Sequence, residues 1–385
     1  MKPSVSAASR ALPWILLGLL GLPLSTTLGL PIKEKGLAGD FVKATRPTLS
    51  WDSWFDGSFA SKYAAWHNEN FGLRSTTIRV YNQEGRWLHG VARANNIEIG
   101  TDDVLYDLES IRASRGAAVP EAEIQALADR IVQLERTLDA RGISLVVGLA
   151  PGKATYWPGN VPPRFGPPTH ESAGSLLAKE LARRGDFTID WIRLFEKRRR
   201  TDPWPLFPKT GMHWSRYGAA RALDDLVAHV ERRRGIDMPN LMWGAVRAAE
   251  TPLIPDDDIG GAMNLLFPIP PGRLAQPDLA VESPAGRTRP SLFVIGDSFF
   301  WTMIAWPMAP GIFSRVEYRF YNRERHRFGE SVDVPEDPVA AALRHDVVLL
   351  LASDAAGGKL GWGFLEAATK QFAREKDARD AATAR

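Results

Sequence analysis

The 385 residues include no cysteine, which excludes disulfides, thiolate nucleophiles and cysteine-ligated metals. It does not fix the compartment, since an exported protein can do without disulfides. A charge excess is almost missing too: 48 Lys and Arg against 45 Asp and Glu leave +3. The triplets Arg198–Arg200 and Arg232–Arg234 read as solvated basic helix ends, where positive charge suits the dipole. No zinc-finger spacing or basic, aromatic-rich strand supports them, so no nucleic-acid partner is expected. The seven histidines show neither H-x-H nor H-E-x-x-H spacing, so no metal and no cofactor are expected. Internal repeats and long low-complexity blocks are also lacking.

What is present begins at the N-terminus. Lys2 and Arg10 precede Ala11–Leu30, twenty residues without a charge. That is about the length needed to cross a hydrocarbon core. Basic residues on the N-terminal flank argue for a cytoplasmic N-terminus and an exported body. Residues 11–30 are therefore expected to anchor the protein in an inner membrane, with a cleaved signal peptide as the rival reading. In a Gram-negative source the body would work in the periplasm. The expected division is a signal anchor or signal peptide over 1–31, a tether over 32–50, one domain over 51–365 and a charged tail over 366–385.

Trp51, Trp54, Phe55, Phe59, Tyr63 and Trp66 recur at helical spacing, which predicts a helix packed onto the domain. NNIEIGTDDVLYD reads as a hairpin with Asp102 and Asp103 at its turn. Pro120 opens a strong helix whose one face carries Ile124, Leu127, Ile131, Leu134 and Leu138, with Gly142 beyond its end. The continuous apolar run Ile143–Pro151 predicts a strand covered on both faces, and Leu292–Ile295 and Asp346–Ala352 predict further buried strands. FTID and VEYRFYN are further strand candidates, and Ser215 is placed to cap a helix. Helices alternating with buried strands indicate a three-layer α/β/α sandwich around a mainly parallel sheet.

In such sheets active groups gather beyond the carboxyl ends of strands. Ser298 lies there, after Gly296 and Asp297, with a helix start behind it to offer backbone N–H groups to an oxyanion. Asp297 or Ser298 serving only as a helix cap is the plain alternative. A serine hydroxyl needs a base. His229 and His326 sit among charges and read as exposed, and His67 lies on the aromatic helix. His213 alone combines an aromatic neighbour, Trp214, with a turn and a helix start. A purely structural histidine stays open at this point.

The pairing of MHWSRYGA with a downstream IGDSF resembles the AlgX/AlgJ-like alginate O-acetyltransferase group of the SGNH hydrolase superfamily. The resemblance continues through NFGLR, IGTDDVLYD, APGKATYWP, DVVLLLASD and GWGF, in order, over nearly the whole exported part. It implies an SGNH hydrolase-like fold and acetyl transfer onto an exopolysaccharide in the periplasm. A membrane-bound O-acyltransferase would supply the acetyl group. By position, Ser298 would be the nucleophile and His213 the base, with Asp297 bracing the turn and Lys153 and Tyr156 as pocket or structural residues. Among the tryptophans near the site loops (Trp157, Trp204, Trp214, Trp301 and Trp306), Trp214 and Trp301 are the first candidates to contact sugar.

One departure stands out. Members of that group carry Asp two residues before the histidine, where this chain has Gly211. Three outcomes are open: a carboxylate from elsewhere, such as Asp202 or one of Asp256–Asp258; a backbone carbonyl giving a Ser–His dyad; or an impaired site. If a substitute partner serves His213, Gly211→Asp is expected to preserve or raise activity. The alternatives to a transferase are a carbohydrate acetylesterase with the same residues, and a non-catalytic polysaccharide-binding scaffold.

Overall fold

The structure, a computed structural model, describes residues 7–27, 32–39, 43–115, 119–249, 251–252, 255–304, 309–327 and 337–383. The chain divides into two units, residues 1–95 with 260–269, and residues 96–259 with 270–385.

The first unit is helical. Ser50 opens the helix Trp51–Phe55 with a capping box shared with Ser53, and Gly57 at φ 77° separates it from Ser58–Asn70. Only glycine takes that left-handed conformation at little cost. The aromatic stripe does not enter a core: neither helix has a buried residue, and Trp51 and Phe55 are 80% and 78% exposed. The helix Arg74–His89 binds the returning segment instead. Asn82 donates to the Met263 carbonyl at 2.8 Å, Gln83 accepts from Phe267 N–H at 3.0 Å, and Trp87 stacks on Phe267.

A helix covers Ala7–Thr27, with Pro13 and Pro23 inside it. Among the described residues no helix is long and apolar enough to cross a membrane. The expected span over 11–30 is thus not supported. The helix is described as far as Thr27, and residues 28–30 of the expected span lie outside the described residues.

The second unit is built on six strands: β1 (Ser144–Ala150), β2 (Thr188–Asp190), β3 (Ser291–Gly296), β4 (Arg315–Phe320), β5 (Glu324–Arg327) and β6 (Val347–Ser353). Their order is β2-β1-β6-β3-β4-β5, parallel throughout except for the antiparallel pair β4–β5. This is an α/β fold with a mixed, mainly parallel sheet. Alternate residues of each central strand serve opposite cores, as the period of two demands. Val146, Val294 and Leu349 face one core with the helices α3 (Trp191–Arg198), α4 (Arg216–Arg234) and α5 (Phe299–Ile304). Leu145, Phe293 and Leu350 face the other, with α1 (Glu121–Asp139), α2 (Ala173–Ala182) and α6 (Phe364–Thr383). Both faces are covered, so these strands read as continuous apolar runs rather than alternating ones.

The antiparallel strand β5 was not foreseen, because ERHR has no apolar residue. Its arginines serve the sheet all the same: Arg325 and Arg327 both bond the Glu317 carboxylate, which is fully buried on β4. His229, expected to be exposed, is 4% exposed, and burial pushes its imidazole down to about 4. The arginines after it are ion-paired, Arg232 with Asp186 and Arg233 with Glu135.

Candidate functional site

The site lies beyond the carboxyl ends of β3 and β6. Gly296 closes β3 in close contact with β6, where an added Cβ would lie 3.0 Å from the Leu351 carbonyl oxygen. The chain then turns through Asp297 into α5. Asp297 is buried and holds that turn: its carboxylate accepts from Phe299 N–H at 3.1 Å and Ser353 N–H at 2.6 Å. Burial raises its pKa, and those hydrogen bonds oppose the shift. The Tyr318 hydroxyl donates to the Asp297 carbonyl at 2.6 Å, fixing the backbone just before Ser298.

The Ser298 hydroxyl oxygen lies 2.7 Å from His213 Nε2. His213 arrives on the loop before α4, whose start is capped twice. Ser215 Oγ accepts from Gly218 N–H at 3.0 Å, and the Asp256 carboxylate accepts from Arg216 N–H at 2.9 Å. Four orphan donors open every helix, and these two carboxyl and hydroxyl oxygens take a pair of them.

The carboxylate absent from position 211 comes from Asp258. Its Oδ2 is 2.7 Å from His213 Nδ1, and its Oδ1 accepts from Met212 N–H at 2.7 Å and from Ile259 N–H at 2.8 Å. An ionised carboxylate only accepts, so Nδ1 carries the proton. Nε2 is then the acceptor, and the Ser298 hydroxyl donates to it. Burial pulls the His213 pKa down, but the Asp258 hydrogen bond and charge outweigh it, with help from Asp297 and Asp107. The net shift is upward.

Gly211 is where it is because nothing larger fits. An added Cβ would lie 2.5 Å from Pro208 Cγ, 2.8 Å from the Pro255 carbonyl oxygen and 3.2 Å from the Asp256 carbonyl carbon. The loop that delivers Asp258 occupies the space a side chain at 211 would need. This overturns the expectation that aspartate could be restored there without harm.

Lys153 is fully buried beside the same loop. Its ammonium donates to the carbonyls of Pro208, Lys209 (2.8 Å) and Gly211 (2.5 Å), three acceptors for its three donors. Burial pushes its pKa down to about 7, against the pull of Asp258 and Asp107. Lys153 thus latches the segment leading to His213.

Other expected residues sit elsewhere. Asp202 faces Arg221 at 3.5 Å and is not the partner of His213. Tyr156 is a core residue stacked on Phe207, with burial raising its hydroxyl to about 12. Trp214 is 0% exposed, packs edge-on against Trp191 and Phe299, and donates its indole N–H to Thr302 Oγ1. It supports the site from below and offers no face to a sugar. Trp301 is half-buried against Tyr318 and His326, and Trp306 lies outside the described residues. Asp258 was one of three adjacent carboxylates in the sequence, and no local signal separates it from Asp256 and Asp257.

Residues 97–267 match the family model described as "SGNH hydrolase-like domain, acetyltransferase AlgX". The matched segment holds His213 and Asp258, while Ser298 follows it. No curated protein matches the chain. Among solved structures, the O-acetyltransferase domain of Pseudomonas putida AlgJ is 18% identical, with a TM-score of 0.45 over 68% of this chain and 92% of that one. Pseudomonas aeruginosa AlgX is 12% identical at 0.41, over 70% and 67%. Bacillus cereus PatB1 is 12% identical at 0.40, over 62% and 92%. Residues 97–267 of this chain are thus similar to the SGNH hydrolase-like domain of the AlgX acetyltransferase family.

Proposed function

We propose that this protein is an O-acetyltransferase that modifies an exopolysaccharide outside the cytoplasm through a serine acyl-enzyme. The observation that carries the reading is the continuous hydrogen-bond chain from Asp258 through His213 to Ser298. Nε2 takes the Ser298 proton as Oγ attacks the acetyl carbonyl of the donor. The Ser298 amide faces the oxyanion that forms. The imidazolium, stabilised by Asp258, returns its proton to the leaving group, and the acetyl stays on Oγ. A sugar hydroxyl then gives its proton to Nε2 and attacks the acetyl carbon, and Oγ leaves with that proton restored.

The family match supports acetyl transfer, and the acceptor class follows from the same likeness. An acetyl donor supplied by a membrane-bound O-acyltransferase fits such a site. A charge-free segment at 11–30 behind basic residues suits export to the periplasm, either as a leader or as an inner-membrane tether for the rest of the chain. Gly211 was the main reason to consider a non-catalytic scaffold, and the Asp258–His213 bond supports the enzyme reading instead.

The test uses the full-length protein in cells that make and acetylate the polysaccharide. Ser298→Ala is expected to abolish acetylation while polymer yield is kept. Unchanged acetylation in that variant would sink the proposal. With purified protein and an acetylated donor, acetyl recovered on an oligosaccharide rather than as free acetate distinguishes a transferase from an esterase.

A further inference from the structure

Asp258 stands on a four-residue turn, Pro255–Asp258, which its own N–H closes on the Pro255 carbonyl at 3.4 Å. Asp256 leaves the same turn toward the same segment, 210–216, and takes different donors there. Asp258 holds the middle of that segment, through Met212 N–H and His213 Nδ1, both at 2.7 Å. Asp256 Oδ1 holds its far end, accepting from Arg216 N–H at 2.9 Å. The Asp256 carbonyl adds a longer contact at the near end, with the Thr210 hydroxyl at 3.5 Å. The turn is thus tied to the histidine segment on both sides of His213.

Helix stability alone does not account for Asp256. It is buried, and burial with the charges of Asp258 and Asp257 pushes its pKa up to about 6, against Arg216. A carboxylate so placed is disfavoured in its charged form. The start of α4 already has a cap in Ser215, whose Oγ takes Gly218 N–H. What the Asp256 bond adds is a fixed place for the turn. Asp258 is 45 positions from His213, so no short stretch of chain sets the direction of its carboxylate. The bond from α4 to Asp256 does that instead.

We infer that Asp256 is a positioning residue for the reaction: its bond to the first amide of α4 holds the 255–258 turn so that the Asp258 carboxylate stays on His213 Nδ1. This rests on the acyl-enzyme reading above. Asp256 bonds Arg216 and Thr210, so it acts on the reaction through Asp258. The charges that raise the imidazole are those of Asp258, Asp297 and Asp107, with the Lys153 ammonium nearby on the Gly211 carbonyl. Those facing Asp256 are Arg216, Asp257 and Asp258. An effect of Asp256 on the His213 titration therefore passes through the place it gives Asp258.

The test uses full-length protein with p-nitrophenyl acetate, reading kcat, KM and the acidic limb of the kcat/KM profile. Asp256→Ala is expected to lower kcat about 100-fold, the scale of a misplacement of about 1 Å at a catalytic group, with KM within about twofold. Its acidic limb should move to lower pH, because an imidazole that loses Asp258 keeps the burial that depresses it. Asp256→Asn keeps an acceptor for the Arg216 amide, and asparagine caps as well as aspartate, so kcat should stay within about threefold and the limb in place. Arg216→Pro removes the donor and leaves all three carboxylates untouched. Proline suits the first helical position, and Ser215 before it already has the extended backbone that proline requires, at φ −66° and ψ 166°. This variant should reproduce the slow rate and the shifted limb even where Asp256→Ala does not fold, while Arg216→Ala, which keeps the amide, should stay within about threefold. If Arg216→Pro keeps kcat within about threefold and its limb in place, Asp256 is only a helix cap and the inference is overturned. An asparagine variant as slow as the alanine one overturns it too. If wild-type turnover does not depend on Ser298, as read from Ser298→Ala, the acyl-enzyme reading falls, and this inference with it.

Discussion

Gly211→Asp places a carboxylate where the family resemblance puts one, and the structure says the result should be loss of function. The three atoms nearest the new Cβ lie at 2.5, 2.8 and 3.2 Å, against about 3.5–4.0 Å for ordinary contact. Two of them are backbone atoms of Pro255 and Asp256, and the third belongs to the stiff ring of Pro208. Overpacking of this kind costs about 1–3 kcal/mol, which lowers a thermal midpoint by roughly 2–4 °C per kcal/mol in domains of 150–250 residues. Relief requires the 255–258 segment to move, and that segment holds Asp258 on His213. A shift of about 1 Å at a catalytic group costs about 10²-fold in rate. Gly211→Ala separates steric from electrostatic effects, since it meets the same atoms without a second carboxylate. The assay is thermal denaturation together with turnover of a chromogenic acetyl ester, for Gly211→Ala, Gly211→Asp and Gly211→Asp combined with Asp258→Asn. Both single variants should be less stable and slower, and the double variant should recover nothing. A Gly211→Asp protein with wild-type midpoint and turnover, or a double variant that regains activity, would refute the packing argument.

Asp258→Asn should leave Ser298 and His213 in place yet cut kcat by about 10⁴, the loss seen when a triad histidine takes the wrong tautomer. Wild-type activity should rise with pH through the raised pKa of His213, because only the neutral imidazole accepts the serine proton. In Asp258→Asn the main raising influence is gone while burial remains, with only Asp297 and Asp107 opposing it, so the residual acidic limb should move to lower pH; a limb that stays put in kcat/KM profiles would assign it to another group. Lys153→Met strands three loop carbonyls, each worth about 1–3 kcal/mol when buried without a donor, so denaturation should come earlier and fluorophosphonate labelling of Ser298 should slow. Trp214→Phe should lower the thermal midpoint through loss of the Thr302 hydrogen bond while the KM for an oligosaccharide acceptor stays constant; a raised acceptor KM at constant midpoint would mean the indole meets sugar after all.

Much of this architecture could be read from residue order because its signals are local. Ser144–Ala150, Ser291–Gly296 and Val347–Ser353 announce themselves as strands covered on both faces, since every residue is apolar or small. The Ser215 cap and the helix opened by Pro120 follow from side chains within one turn of each other. Ser298 and His213 could be nominated because each sits at a helix start, where the backbone itself favours chemistry. The aromatic stripe misled, since helical spacing reports periodicity and says nothing of what covers a face. His229 misled for the opposite reason, as its charged sequence neighbours hid a buried position.

The amino-acid order alone determined the strand and helix pattern, the turn at Gly296 and the two residue types able to act as nucleophile and base. Only the tertiary structure decided which carboxylate serves His213. Asp256, Asp257 and Asp258 are chemically identical and adjacent, and what distinguishes them is the direction each side chain takes from a loop packed against Gly211. Contacts between residues 45 and 85 positions apart depend on loop packing and strand order, and neither is written in local sequence.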